Sequence, residues 1–132
     1  MGYLTMNGKS FKRGFTLVEI LIVLAILSLL TTIVLPRYFQ SITIAKENAL
    51  KDNLIIVRRN IDIFYSDKGR YPESIEELVS KGYLKNIPTD PTTDSDQTWL
   101  IIYDQSGKGY GVKDIRSGNR EVSSNGKAIN EF

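Results

Sequence analysis

The chain has 132 residues, 24% of them charged, and a formal net charge of +2 at pH 7. It contains no cysteine, which excludes disulfides, Cys-ligated zinc and a thiol nucleophile. It also contains no histidine, the commonest general base and transition-metal ligand. Residues 1–14 hold three basic side chains and no acidic one, so the rest of the chain is nearly neutral and gives little support to nucleic-acid binding.

A long apolar run extends from Phe15 to Leu35, and its one ionisable side chain is Glu19. As a helix, a run of this length spans about 30 Å, the thickness of a hydrocarbon core. Lys9, Lys12 and Arg13 precede it, an asymmetry that places the N-terminus in the cytoplasm. A secretory signal peptide is the alternative, but its apolar region is shorter and ends at a small-residue cleavage site. The run therefore predicts a membrane-spanning helix.

Helical periodicity resumes after Pro36, a residue that normally ends or kinks a helix. We therefore predict one long helix from about Thr16 to Asp67, kinked around Pro36 and amphipathic in its second half. The predicted packing stripe consists of apolar and small residues at spacings of three to five: Phe39, Ile42, Ala45, Ala49, Asn53, Ile56 or Val57, Ile61 and Phe64. Half of this stripe is expected to pack on the chain's own domain and half on other subunits.

A second, short helix is predicted from about Ile75 to Lys81. Ser74 and Glu77 form a capping-box pattern in which each side chain accepts the other's backbone N–H, and Gly82 ends the helix.

The last third of the chain is rich in strand-forming residues. Thr98–Asp104 and Tyr110–Ile115 flank a Gly-containing turn, which predicts a β-hairpin. A third short strand is predicted near Glu121–Ser123. The soluble part thus forms a small α+β domain with an antiparallel sheet, large enough for one modest core but not for a large enzyme cleft.

The residues around the start of the apolar run carry a family resemblance. The sequence Gly14-Phe15-Thr16-Leu17-Val18-Glu19, placed between a basic segment and an apolar helix, resembles the processing site of type IV prepilins and type II secretion pseudopilins. The resemblance implies that a membrane aspartyl peptidase cuts after Gly14 on the cytoplasmic side. It also implies that the new N-terminal residue, Phe15, is then N-methylated.

Three stretches of the soluble part are similar to the G-type subunit, the major pseudopilin of type II secretion: DKGRYP at 67–72, IPTDP at 87–91 and VKDIRSG at 112–118. The resemblance implies a pilin lollipop, in which a long helix carries a small globular domain. The parts would be a basic leader (1–14), a transmembrane half-helix (15–36), an amphipathic half-helix (37–68) and a globular α+β domain (69–132).

The implied function is that of a structural filament subunit, which catalyses nothing and polymerises into a periplasmic pseudopilus that drives protein export. Its implied partners are further copies of itself, minor pseudopilins, the prepilin peptidase/methyltransferase, an inner-membrane assembly platform and membrane lipid. The subunit would cross the inner membrane once, with its N-terminus in the cytoplasm and its C-terminal domain in the periplasm.

Two other functions stay open. One is a type IV pilin of a surface pilus for adhesion, twitching motility or DNA uptake, against which count the absent cysteine pair and the DKGRYP…IPTDP pattern. The other is an uncleaved, membrane-anchored enzyme or binding domain, against which count the absent histidine and cysteine and the lack of clustered carboxylates. The sequence leaves open whether translation starts at Met1 or Met6.

Glu19 raises the question of a partner, because an ionised carboxylate in hydrocarbon costs roughly 2.5–3.5 kcal/mol even on lenient insertion scales. No cation lies within the apolar run. Cleavage would create an α-amino group on Phe15, and Glu19 of one subunit is then expected to pair with that amine on its neighbour. The alternative is that Glu19 reaches the cytoplasmic headgroups, since it lies within roughly 7 Å of the start of the run.

G-type subunits often bind calcium in a C-terminal loop lined by acidic side chains, and this chain departs from that pattern. Its matching region, 117–130, contains Glu121 as its one acidic residue, with Asp114 just before it. Calcium prefers six to eight oxygen ligands. We therefore predict no metal and no other cofactor. Two weaker calcium candidates are a site of Asp114, Ser117 and backbone carbonyls, and the loop holding Asp90, Asp94 and Asp96.

Overall fold

The structure is a computed structural model that describes residues 1–3, 14–107 and 109–132. The predicted basic cluster from Lys9 to Arg13 lies outside the described residues. The chain divides into two compact units, Met1–Tyr38 and Phe39–Phe132.

One helix, α1, extends over 52 residues from Leu17 to Lys68. The predicted helix, Thr16 to Asp67, is confirmed to within one residue at each end. Pro36 lies inside α1, so its missing N–H and its bulky ring do not end the helix. The kink at Pro36 stays a prediction.

In the first unit, α1 is apolar on every side and its side chains are exposed. An 18-residue window there has a mean hydropathy of 2.8, so by length and composition the helix is suited to crossing a membrane. The hydroxyls of Ser28, Thr31 and Thr32 donate to the carbonyls of Leu24, Leu27 and Ser28, at 2.7, 2.7 and 2.8 Å. These bonds satisfy groups that would otherwise be costly to place in lipid.

In the second unit, one side of α1 packs against the rest of the domain and forms part of the hydrophobic core. The buried helix positions recur at spacings of three and four: Glu47, Leu50, Leu54, Val57, Ile61 and Phe64. They pack with buried side chains of the domain: Ile75, Leu78, Leu84, Trp99, Val112, Ile115 and Ile129. Such an alternation keeps one face of a helix against a core.

The predicted stripe is therefore partly wrong. Val57, Ile61 and Phe64 are buried, but Ala45, Ala49 and Ile56 are exposed, and Leu50 and Leu54 hold the core positions instead. The error has a physical reason. α1 carries apolar residues on more than one face, and a spacing of three to five residues joins positions from two of these faces into one stripe.

The second helix, α2, spans Ile75–Ser80 and follows Ser74, whose side chain accepts the Glu77 N–H at 3.3 Å. The predicted capping box is half correct. The Glu77 carboxylate accepts from the Glu73 N–H at 2.7 Å, one residue earlier than predicted, while Arg70 binds both of its oxygens at 2.6 and 3.2 Å. The guanidinium thus draws the carboxylate away from the Ser74 N–H. Gly82, at φ 82°, follows α2 as predicted.

The sheet has two antiparallel strands, β1 (Trp99–Tyr103) and β2 (Val112–Ser117), with Ile101 opposite Ile115. The predicted hairpin is confirmed, although β2 begins and ends two residues later than predicted. The Val112 N–H, at the start of β2, donates to the Pro72 carbonyl at 2.7 Å. The predicted third strand is wrong: Val122 and Ala128 form an isolated bridge around a turn, and a 3₁₀ helix follows at Ile129–Glu131.

Candidate functional site

The segment just before α1 is exposed. Gly14 and Phe15 precede the helix, and the Phe15 side chain is 84% exposed. Among the residues that the structure describes, none beyond the immediate neighbours has an atom within 4 Å of where a Cβ on Gly14 would stand. In the described part of the chain, the Gly14–Phe15 peptide bond is therefore accessible to another protein.

Thr16 and Glu19 cap the start of α1 reciprocally. The Thr16 N–H donates to Glu19 Oε2 at 2.7 Å, and the Glu19 N–H donates to Thr16 Oγ1 at 3.2 Å. This is a capping box, which satisfies two backbone donors left free at a helix start. The carboxylate also lies where the helix dipole favours negative charge.

Sequence reasoning missed this role of Glu19. The sequence does carry its signal, because Thr16 and Glu19 have the same spacing as Ser74 and Glu77. Within the described residues, Glu19 has a backbone donor rather than a cation, and its Oε1 oxygen makes no hydrogen bond to them. One oxygen is thus left to bind a group from outside the chain.

A shallow cavity of about 270 Å³ adjoins this site, lined by Phe15, Glu19, Ile20, Val23 and Leu24. Glu19 supplies its one ionisable group. A complementary partner would therefore present an apolar surface with a single hydrogen-bond donor or cation.

In the structure, the side chains of both calcium candidates already have partners within the chain. Asp114 accepts from Arg58 Nε at 2.7 Å, and the Arg58 Nη2 donates to the carbonyls of Ile115 and Phe132 at 3.0 and 2.7 Å. Ser117 donates to Asp90. A guanidinium thus takes the acceptors that a cation would need, and calcium's preference for several carboxylates is not met.

The loop containing Asp90, Asp94 and Asp96 is no better suited. Asp90 is buried and accepts from the N–H and hydroxyl of Thr92 at 2.8 and 2.6 Å, whereas Asp94 pairs with Lys46 at 3.2 Å. In the part of the chain that the structure describes, no group of three or more acidic side chains could hold a metal ion.

Sequence reasoning also missed Glu47, which anchors the last segment of the chain to α1. Glu47 is 3% exposed, and its two oxygens accept from the Ser124 N–H at 2.8 Å and the Ser124 hydroxyl at 2.6 Å. The signal was available, because a lone acid at a core spacing of a helix needs a hydrogen-bond partner.

Comparisons with known proteins agree with this site. Residues 9–35 match the family described as "Prokaryotic N-terminal methylation motif". The type II secretion system core protein G of Pseudomonas aeruginosa is 32% identical over 96 residues, which are 61% of this chain and 68% of that protein. The protein of the same name from Aeromonas hydrophila is 27% identical over 99 residues, which are 63% of this chain and 69% of that protein. The Escherichia coli protein is 26% identical over 102 residues, 65% and 70%. No solved structure matches the chain.

The methylation motif and the α+β fold with its long apolar helix are those of the type IV pilins and pseudopilins. The chain belongs to the family of type II secretion system core protein G, the major pseudopilins. The alternative, a type IV pilin of a surface pilus, is not favoured, because the relatives above are named for type II secretion.

Proposed function

We propose that this chain is made as a precursor, cut after Gly14, methylated on Phe15 and polymerised into a pseudopilus that drives protein export. One observation carries the proposal: an exposed Gly14–Phe15 bond stands immediately before a capped, membrane-length apolar helix, inside the methylation motif. The chain itself acts as a structural subunit and as the substrate of a prepilin peptidase/methyltransferase.

The precursor crosses the inner membrane once. Lys9, Lys12 and Arg13 stay on the cytoplasmic side, where the peptidase acts, and the second unit lies in the periplasm. The membrane-length window of α1 and the backbone bonds of its three hydroxyl residues support this arrangement.

Glu19 then pairs across subunits. Its Oε2 stays on the Thr16 N–H, while Oε1 accepts the α-amino group of Phe15 in the neighbouring subunit. A subunit out of register would leave a carboxylate and an ammonium without partners in an apolar surrounding, which is expensive. The pair therefore sets the register of the apolar helices. The filament also contacts minor pseudopilins and the inner-membrane assembly platform.

The test of the proposal is the intact mass and N-terminal sequence of the membrane-extracted protein, from cells with and without the prepilin peptidase. We expect a chain that begins at methylated Phe15 in the first strain and an uncut chain in the second. A Gly14→Trp variant should remain uncut in both strains, because its side chain blocks close approach to the bond. A Gly2→Trp variant, changed twelve residues before the bond, should be cut normally.

An uncut chain in both strains would refute the proposal and leave the apolar helix as a plain membrane anchor. Cutting without the peptidase would refute the assignment of that enzyme as the partner.

A further inference from the structure

The two-stranded sheet has one covered edge and one open edge. On the outer edge of β2, the Val112 N–H donates to the Pro72 carbonyl at 2.7 Å, and the Ile115 carbonyl accepts from Arg58 at 3.0 Å. The 3₁₀ helix Ile129–Glu131 also packs beside β2. Among the described residues, β1 pairs with β2 alone. The outer edge of β1 is therefore a place where another strand can pair.

The register of the hairpin shows which backbone groups of β1 lie on this open edge. The carbonyl of Ile115 points away from β1, toward Arg58. Opposed residues of antiparallel strands alternate between pairs that exchange backbone hydrogen bonds and pairs that do not. Ile115 and the residue opposite it, Ile101, are thus a pair of the second kind. The N–H and C=O of Ile101 consequently point outward from the sheet.

The neighbouring positions of β1 follow the same alternation. The Asp104 N–H donates inward, to the Gly111 carbonyl at 2.8 Å, so the backbone of Tyr103 points outward. Trp99, two residues before Ile101, points outward as well. In the part of the chain that the structure describes, the outward N–H and C=O groups of these three residues have no backbone partner.

The side chains of Trp99, Ile101 and Tyr103 line a crevice of about 250 Å³, which we call the β1 crevice. Ile75 of α2 and Ile87 of the loop before β1 also line it. Small-molecule sites are commonly larger, about 300–1,000 Å³. The β1 crevice therefore suits a single apolar side chain, and it lies against the residues whose backbone forms the open edge.

Charge around the β1 crevice selects the partner. Glu76 and Asp96 also line it, and both are exposed and make no ion pair with any residue that the structure describes. β1 itself contains no charged residue and no proline, two features by which edge strands avoid pairing. A strand that brings cations is thus favoured. The β1 edge of a second copy would instead bring the same two carboxylates and be repelled.

We infer that the open edge of β1 binds an extended segment of a different protein, which adds a third strand through backbone hydrogen bonds. The segment carries one large aliphatic side chain, which fills the β1 crevice, and a lysine or arginine two residues to either side of it. Residues i and i+2 of a strand share a face, so these cations lie beside Glu76 and Asp96. This binding site goes beyond the proposed function and depends neither on cleavage nor on assembly.

A synthetic peptide tests the site. The probe is acetyl-TKVLVRT-amide, whose lysine, leucine and arginine share one face when the peptide is extended. Added to the detergent-solubilised full chain, it should give a saturable change in the fluorescence of Trp99, the one tryptophan, which lines the β1 crevice. The control acetyl-TEVLVET-amide, in which glutamates replace both cations, should bind at least severalfold more weakly.

N-methylation of the peptide distinguishes strand pairing from apolar contact alone. Successive residues of a strand direct their N–H groups to opposite sides. A probe methylated on the leucine nitrogen and one methylated on the next valine nitrogen therefore lose a donor on opposite sides. We expect one of them to lose binding and the other to keep it. Equal loss or equal retention in the two would overturn the added strand.

Charge reversal in the protein is the second measurement. Glu76→Lys/Asp96→Lys should weaken binding of the probe at least severalfold. The matched control, Glu121→Lys/Glu131→Lys, reverses two exposed acidic residues that do not line the β1 crevice and should leave binding unchanged. Equal effects of the two double variants would overturn the role given to the carboxylates.

Two further outcomes bear on the occupant. Absence of saturable binding by acetyl-TKVLVRT-amide, in a chain that is cut and assembled normally, would overturn this inference and leave the proposed function standing. A disulfide-linked dimer of an Ile101→Cys variant, formed on mild oxidation in place of peptide binding, would mean that a second copy occupies the edge and would also overturn it.

Discussion

Glu47 is a carboxylate on the core side of a helix, and its burial makes it sensitive to substitution. Replacing it with alanine removes the acceptor for both the N–H and the hydroxyl of Ser124. A hydrogen bond to a charged group contributes about 1.5–3 kcal/mol. We expect Glu47→Ala to lower the free energy of unfolding by roughly that amount, measured in urea on the detergent-solubilised chain by fluorescence of Trp99, the one tryptophan. Glu76→Ala, at an exposed position of α2, is the control and should change it by under about 0.5 kcal/mol. Equal effects of the two substitutions would contradict the anchoring role.

Two substitutions distinguish the two roles of Glu19, as the cap of α1 and as a negative charge. Glu19→Gln keeps a carbonyl oxygen that can accept the Thr16 N–H, whereas Glu19→Ala loses the acceptor altogether. If the carboxylate pairs with the Phe15 amine of a neighbour, both variants should be cut normally yet fail to form filaments. The measurement is the ratio of sheared filament to processed subunit on an immunoblot. Normal filaments from the Gln variant would show that the cap alone matters.

Glu77, in the first turn of α2, pairs with Arg70, and the contribution of this pair to the stability of the fold should depend on pH. Hydrogen bonds from the Arg70 guanidinium are the main cause that lowers the pKa of Glu77 below its usual value, and the Glu73 N–H adds to it. A lowered pKa means that the folded state favours the charged form, so the stabilisation is present above about pH 4.3. It is lost as the pH falls through the lower, folded-state pKa. Because Arg70 is half-exposed, the effect is small.

Glu77→Gln tests this dependence. We expect the variant to be less stable than the unchanged chain at pH 7, and the difference in free energy of unfolding to shrink as the pH falls below about 4. Urea titrations at a series of pH values measure it. Glu76→Gln, whose side chain makes no hydrogen bond among the described residues, should show no such convergence. A difference that stays constant down to pH 2 would rule out the ion pair as its source.

The elements were predictable to the extent that their signals are local. Length and periodicity gave α1 to within one residue, and turn residues placed the hairpin. The core register was not predictable from spacing, because α1 presents apolar residues on several faces and the fold of the rest decides which one is covered. The prediction of a third strand was wrong for a related reason. The Ser123 N–H donates to the Lys127 carbonyl at 2.7 Å, a contact within a turn that competes with pairing to the sheet. At the site, the processing motif was evident, whereas the partners of Glu47 and Arg58 depend on residues 77 and 56 positions away.

At the scale of the whole molecule, Arg58 stands where three parts of the second unit meet. Its guanidinium, on α1, contacts Asp114 and Ile115 of β2 and the Phe132 carbonyl. A fixed cation thus ties helix, sheet and last segment together, a task that a bound metal ion can perform in other proteins. We therefore propose that this chain folds without calcium.

Thermal unfolding with and without calcium tests that proposal. A ligand that binds only the folded state raises its stability in proportion to ligand concentration, so an absent site gives no shift. We expect the same Tm in millimolar calcium and in excess chelator. Arg58→Ala should lower the Tm, because it removes the donor shared by Asp114 and two carbonyls. The cost is about 1–3 kcal/mol, and each kcal/mol corresponds to roughly 4–8 °C for a domain of this size. Arg59→Ala is the matched control, since the next residue is exposed and unpaired among the described residues, and its Tm should stay unchanged. A Tm that falls by several degrees on chelation would mean that a metal ion shares the work assigned to Arg58.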